Sequence, residues 1–251
     1  GMTSAWQTWV MIENYSAMHD IPFASKANGY EGLDCELMIN NPKVVKHLER
    51  LKSWMADGRF AYEGREYQGP NAAFVAGDAA IMTESVSGIG NVKKNAKFEW
   101  DIAPLPVEAD MKQPQNSIIG GASLWVMNGH PKAHYKGVAA FMNFLAQNDM
   151  QELWHVETGY FPITTKAYES LKSKGFFDKI PYQEVGIKQL NRTVPNKNSR
   201  GIRLGYFVQI RNILDEEMEL IWNGSKTPQQ AMADAVKRGN DKLREFEKTN
   251  K

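Results

Sequence analysis

Residues 114–127 read PQNSIIGGASLWVM. The run SLWVM at 123–127 has the length and composition of a buried strand. Gly120 and Gly121 sit in the middle of the apolar stretch that runs from Ile118 to Met127, where glycine weakens pairing and adds no packing. Either the chain bends at this pair or something approaches the backbone closely. Two further runs of strand length, AAIMT at 79–83 and WDIAPLP at 100–106, lie upstream.

Helical patterns separate these runs. Asn41-Pro42 heads an apolar stripe of Val44, Val45, Leu48, Leu51, Trp54 and Met55, and Gly58 stops it. Pro131 opens a second helix with Val138, Phe141, Met142 and Leu145. Asn148 caps a third that ends at Gly159, so the two read as a helical hairpin. Thr227-Pro228-Gln229-Gln230 combines a capping box with proline in the first turn, and Ala231, Ala235, Val236, Leu243 and Phe246 supply a buried face. Helices alternating with strands predict an α/β layer architecture with a largely covered sheet. The polar stretch NRTVPNKNSRG at 191–201 reads as a long exposed loop.

The 251 residues suffice for one large or two small domains, and 42% hydrophobic content suits a packed core. Thirty basic against 29 acidic residues leave a net charge of +1, which offers no field to gather nucleic acid or anionic lipid. No apolar run reaches the roughly 20 residues of a membrane-spanning helix. Gly1-Met2 reads as a tag remnant before a start methionine, so the lack of an export signal in the chain carries no weight. Cys35 is the single cysteine, which excludes an internal disulfide and a thiolate metal cluster.

Several residues could carry binding chemistry. In AAIMTESVSGIGNVKKN a strand leads through a Ser/Gly loop into a short helix. The hydroxyls of Ser85 and Ser87 and the loop amides could receive an anion, or the loop is a tight turn capped by serine. Trp6 and Trp9, three apart, share a face if helical, as core or as a platform for a polyol. Tyr160 follows the helix stop at Gly159 and could project its hydroxyl into a cleft. Arg203 and Arg211 lie near the start of an apolar-striped helix, where a cation snorkels, pairs with a carboxylate or grips an anion. His130 and His134 lack a third metal ligand, and Glu216, Glu217 and Glu219 read as a charged outer face. GxSxG and HExxH are both absent, and nothing compels an enzyme.

PQNSIIGGASLWVM, TGYFPIT, GIRLGYFVQIR and KTPQQAMADAVKRGN, in that order, closely resemble the sn-glycerol-3-phosphate receptors among the extracellular solute-binding proteins of bacterial ABC importers. That family also includes maltose receptors. The resemblance implies a type II periplasmic-binding-protein-like α/β fold, here the C-terminal lobe plus a fragment of the N-terminal lobe. Residues 1–118 and 158–251 would form the C-terminal lobe, and 119–157 would belong to the other. It also implies periplasmic location, no catalysis, no cofactor, and ABC transporter membrane subunits as partners. Carried over by position, Ser85, Tyr160 and Arg211 would hold the phosphate with the Gly121 amide, and Trp6 and Trp9 would line the glycerol side. A lobe lacking its neighbours would bind weakly and would associate into a homo-oligomer. A sugar receptor of the same family, a small phosphate-ester hydrolase and a non-binding interaction module are the alternatives.

Overall fold

A computed structural model describes residues 1–250, which divide into two compact units. Residues 1–84, 105–119 and 189–250 form the first; Ser85–Pro104 and Gly120–Lys188 form the second.

The first unit is built on a short parallel sheet in the order β2 (Phe60–Ala61), β1 (Met2–Ser4), β3 (Ile81–Thr83). Met2 pairs with both Phe60 and Ile81. Parallel strands need long return connections, and helices Pro42–Ala56 and Gln68–Ala76 fall within them. The first of these helices starts as its caps require: the Asn41 side chain accepts from the Lys43 amide, Pro42 sits in the first turn, and Val44, Val45, Leu48 and Leu51 are buried. Helices Phe207–Trp222 and Pro228–Thr249 pack along one another and against it. In the last helix the expected capping box is formed, with Thr227 and Gln230 bonded reciprocally. Ile12, Phe23, Leu48, Ile210, Leu214, Met218, Met232 and Leu243 are fully or nearly fully buried in the shared core. Gly239 keeps the last helix close: a Cβ there would lie 2.3 Å from Leu37 Cδ1.

One turn in this unit is left-handed. Lys26, Ala27 and Asn28 have φ of 53°, 51° and 57°, a conformation that costs L-residues about 1–2 kcal/mol each. Asn28 offsets that cost. Its buried Oδ1 accepts from the amides of Phe23 and Ala24 at 3.0 Å, and its Nδ2 donates to the carbonyls of Asn198 and Gly201. The amide group thus makes all four of its hydrogen bonds. The 191–201 stretch, expected to be exposed, is therefore tied down. Asn198 and Asn196 both donate to Asp20, and Asn198 and Ser199 are buried. Asn196, Asn198 and Ser199 serve as internal partners here, while Asn191, Val194, Pro195, Lys197 and Arg200 remain exposed.

The second unit is helical. It contains Ile89–Asn95, Lys132–Leu145, Asn148–Thr158, Thr165–Ser173, Phe176–Lys179 and most of Tyr182–Leu190. Its small core is Leu171, Phe177 and Ile187, flanked by Phe161, Tyr168 and Phe176. The hairpin at 131–159 forms, but Asn148 is the first helical residue and Gln147 the cap position. The runs 100–106 and 123–127 are not strands. Pro104 and Pro106 withhold amide donors from the first. The second finds no adjacent strand to pair with, and Trp125 is 87% exposed. Together with Val138, Phe141 and Met142 of the following helix, residues 124–127 line an apolar groove. The acidic cluster also differs from expectation, because Glu217 is buried between Lys226 and Arg238.

Replacing Asn28 with Ala strips two buried amides and two carbonyls of their partners. It is expected to cost about 3 kcal/mol or more, read as a lowered midpoint in urea denaturation. A change under about 1 kcal/mol would show that the left-handed turn holds itself.

Candidate functional site

Between Thr3 and Ser16 nearly every residue of the first unit is buried, and the burial continues through His19; only Trp6 and Trp9 are partly exposed. They do not share a helical face as expected. Trp6 lies before the helix with φ of 50°, and Trp9 lies within a π-helical segment, Thr8–Asn14. Wide turns of this kind recur at functional sites. The Trp6 indole donates to Glu84 Oε1 at 2.9 Å, Asn71 donates to the other carboxylate oxygen, and Tyr67 packs 5.6 Å from the indole ring. The Trp9 indole nitrogen is buried without a hydrogen-bond partner.

The same π-helical segment carries Glu13, 1% exposed, in an apolar setting. Arg211, in the Phe207–Trp222 helix, clamps it through Nε and Nη2, both at 2.6 Å. The guanidinium lies 4.6 Å over the Phe207 ring. Burial pushes the Glu13 carboxyl upward against the opposing pull of Arg211. Of the three fates weighed for an arginine here, carboxylate pairing is the one this structure displays. Arg203 lies upstream of the helix, exposed. One turn further along, Asp215 accepts from Gln7, whose side-chain oxygen accepts from the Trp222 indole. Burial raises the Asp215 carboxyl to about 6. Tyr206, which leads into this helix, has φ of 50°.

In the second unit Ser85 caps the 3-10 turn Val86–Gly88, accepting from the Ser87 amide and hydroxyl. The serine-capped turn is thus present as such. Gly121 has φ of 127°, while a Cβ there would meet Tyr160 Cε1 at an ordinary 3.6 Å. Backbone conformation, not crowding, therefore selects glycine at the bend. Tyr160 follows Gly159, whose added Cβ would fall 2.8 Å from the Val86 carbonyl. Ser85's turn, Gly121 and Tyr160 are accordingly neighbours. Both backbone groups of Tyr160 are held: Thr158 Oγ1 accepts from its amide, and His155 Nδ1 donates to its carbonyl at 2.9 Å. The phenol is 40% exposed.

The six expected residues thus fall into two groups, Trp6, Trp9 and Arg211 in the first unit and Ser85, Gly121 and Tyr160 in the second. The sequence reading missed Glu13, Glu84, Asp215 and His155. Glu13 left a signal, an acid inside the apolar run WVMIEN, which calls for a cation elsewhere in the chain. His130 and His134 are exposed, their rings 5.8 Å apart.

The family model described as bacterial extracellular solute-binding protein matches residues 2–177. The sn-glycerol-3-phosphate-binding periplasmic protein UgpB of Salmonella typhimurium is 46% identical over 252 residues, covering 100% of this chain and 57% of that protein. Its Yersinia enterocolitica counterpart is 47% identical with the same coverage. The chain therefore spans just over half the length of the curated relatives it matches. Among solved structures, Mycobacterium tuberculosis UgpB in complex with glycerophosphocholine is similar with a TM-score of 0.77 at 16% identity, over 97% of this chain and 58% of that one. The maltose/maltodextrin-binding domain of Bdellovibrio bacteriovorus bound to maltotriose gives 0.73 at 17% identity, over 97% and 60%. These two likenesses show the fold, that of part of a type II binding protein.

Arg211→Ala would leave the Glu13 carboxylate buried without its cation. Because the guanidinium is itself 39% exposed, the expected loss is about 2–4 kcal/mol near neutral pH. The loss shrinks at mildly acid pH, because burial favours the protonated Glu13 carboxyl, and Glu13→Gln combined with Arg211→Ala recovers part of it. Denaturant titrations of the three proteins at both pH values check this.

Proposed function

This chain belongs to the bacterial extracellular solute-binding proteins, and from that premise we propose that it is a receptor portion of an ABC importer for sn-glycerol-3-phosphate or a related glycerophosphodiester. It binds its solute in the periplasm, performs no catalysis and hands the solute to the membrane subunits of the transporter. The match over the whole chain to relatives named for glycerol-3-phosphate supports this reading.

Arg211 is the observation that carries the ligand class. Its Nε and Nη2 edge is committed to Glu13, which fixes the plane of the guanidinium, and Nη1 makes no hydrogen bond among the described residues. A phosphate oxygen suits that donor, and charge-assisted bonds are the stronger sort. A neutral sugar has no need of it. Tyr160 contributes a phenol, Gly121 a backbone amide and Ser85 a hydroxyl, while Trp6 and Trp9 offer apolar faces to the glycerol carbons. Contacts to both lobes at once would favour a closed receptor.

In this reading residues 119–157 belong to the N-terminal lobe, and the rest of that lobe lies in the part of the relatives that this chain does not span. The groove at 124–142 is the face that would meet it. Left open, such a face promotes self-association, so the chain alone is a homo-oligomer.

NMR titration of the chain with sn-glycerol-3-phosphate is expected to shift the resonances of Trp6, Trp9, Gly121 and Tyr160, with affinity weaker than about 1 μM, and Arg211→Ala abolishes the response. Shifts with maltotriose but not with the phosphate would replace this reading with the sugar receptor. Light scattering at high protein concentration should return a multiple of the 28.4 kDa chain mass. A monomeric mass would count against association through the groove.

A further inference from the structure

A segment of the first unit is fastened through a histidine that plays no part in the proposed solute site. Residues 105–119 run as an irregular strap without helix or strand. At its far end the Ile118 amide donates to Asn14 Oδ1, and Asn116 donates to the Ser199 carbonyl. Near its start lies a compact cluster around Glu108. The Glu108 carboxylate accepts from Arg50 at 2.7 and 2.8 Å and from the Tyr15 hydroxyl at 2.9 Å. Its backbone amide donates to His19 Nε2 at 3.0 Å. The other ring nitrogen, Nδ1, lies 2.7 Å from the Tyr15 carbonyl.

These two contacts dictate the state of His19. A carbonyl only accepts, so Nδ1 carries the proton; an amide only donates, so Nε2 must be bare. The ring is buried and packs 4.1 Å from Tyr15. We propose that His19 is an acid-sensitive latch for the strap: the neutral Nδ1–H imidazole holds the Glu108 amide, and a proton on Nε2 releases it. A protonated ring sets N–H against N–H, so the amide must leave its place. The Glu108 side chain keeps Arg50 and Tyr15 meanwhile, which confines the release to the backbone around residue 108.

The surroundings set the sign. Burial is the main influence and holds the imidazolium below its usual range; Lys43 acts the same way, while Glu108 and Asp110 on the strap favour the charged form. On the Pro42–Ala56 helix, His47 stacks on Tyr15 at 4.0 Å, and its proton affinity falls to about 3, mainly through burial and secondarily through Arg50. His47 therefore stays neutral above that value. Asp20, next in sequence, is engaged by Asn196 and Asn198. The unfolded histidine takes its proton near pH 6.5, so the attachment is complete above that value and fails as pH falls through the lower folded value.

Amide hydrogen exchange on the chain as it stands tests the latch, corrected for intrinsic rates, from about pH 7.5 to about pH 4. Protection of the Glu108 amide should drop about tenfold or more on acidification, while that of Ile118 changes little. In His19→Gln, whose side-chain oxygen accepts but does not titrate, the Glu108 protection should persist and lose its pH dependence. In His19→Phe it should be low throughout. An equal acid-induced drop in His19→Gln, or unchanged protection in the native chain while His19 titrates, would overturn the proposal. Imidazole nitrogen shifts give a check independent of variants: an Nε2–H tautomer near neutral pH would overturn it as well.

Discussion

The first unit depends on satisfying a buried segment that is not apolar. From Thr3 to His19 the chain carries Gln7, Glu13, Asn14 and His19 into a core where an unpartnered polar group costs on the order of 1–3 kcal/mol, and a charge more. The partners come from far along the sequence. Asp215 and Trp222 answer Gln7, Arg211 answers Glu13, the Ile118 amide answers Asn14, and Glu108 answers both Tyr15 and His19. Each pairing ties the N-terminal segment to either the Phe207–Trp222 helix or the 105–119 strap. Apolar burial supplies most of the driving force, but these bonds choose the arrangement, since shifting either partner would strand several groups at once.

The second unit has the opposite problem. Its core cluster holds three buried residues, Leu171, Phe177 and Ile187, whereas Leu124, Trp125, Met127, Phe141 and Phe144 remain exposed. The polar bonds there serve local order: His155 and Thr158 hold Tyr160, and Gln151 holds the Leu145 carbonyl and the Ile163 amide. Sheets and amphipathic helices cover their apolar faces in stable domains. Much of that apolar surface is uncovered here, in a chain that spans just over half the length of its relatives.

Conformational strain and candidate binding residues coincide in several places. Trp6 and Tyr206 are left-handed, and Gly121 occupies a region open to glycine. Such positions persist where surrounding bonds over-determine them. Trp6 is held by Glu84, itself bonded to Asn71. The Phe207 helix that Tyr206 leads into is held by the Glu13–Arg211 pair. The Trp6 indole, proposed to meet the solute, is thus fixed in advance by Glu84, which would lower the entropy that binding must overcome.

Local chemistry alone made several elements legible. Asn41-Pro42 and Thr227-Pro228-Gln229-Gln230 specify helix starts because the capping bonds close within four residues. Gly159 specifies a helix end, and Gly121 a bend, because each needs a backbone angle that glycine adopts freely. Tertiary structure decided the rest. SLWVM has strand composition, but a strand exists only when a neighbour supplies the other half of its ladder. Glu217 and Asn198 look solvated in one dimension and are buried in three, because Lys226 and Arg238 reach the first and Asn28 and Asp20 the second from elsewhere. The pairing of Glu13 with Arg211, 198 positions apart, lies outside any local pattern. Only folding brings the two charges within 2.6 Å, where burial makes their separation costly.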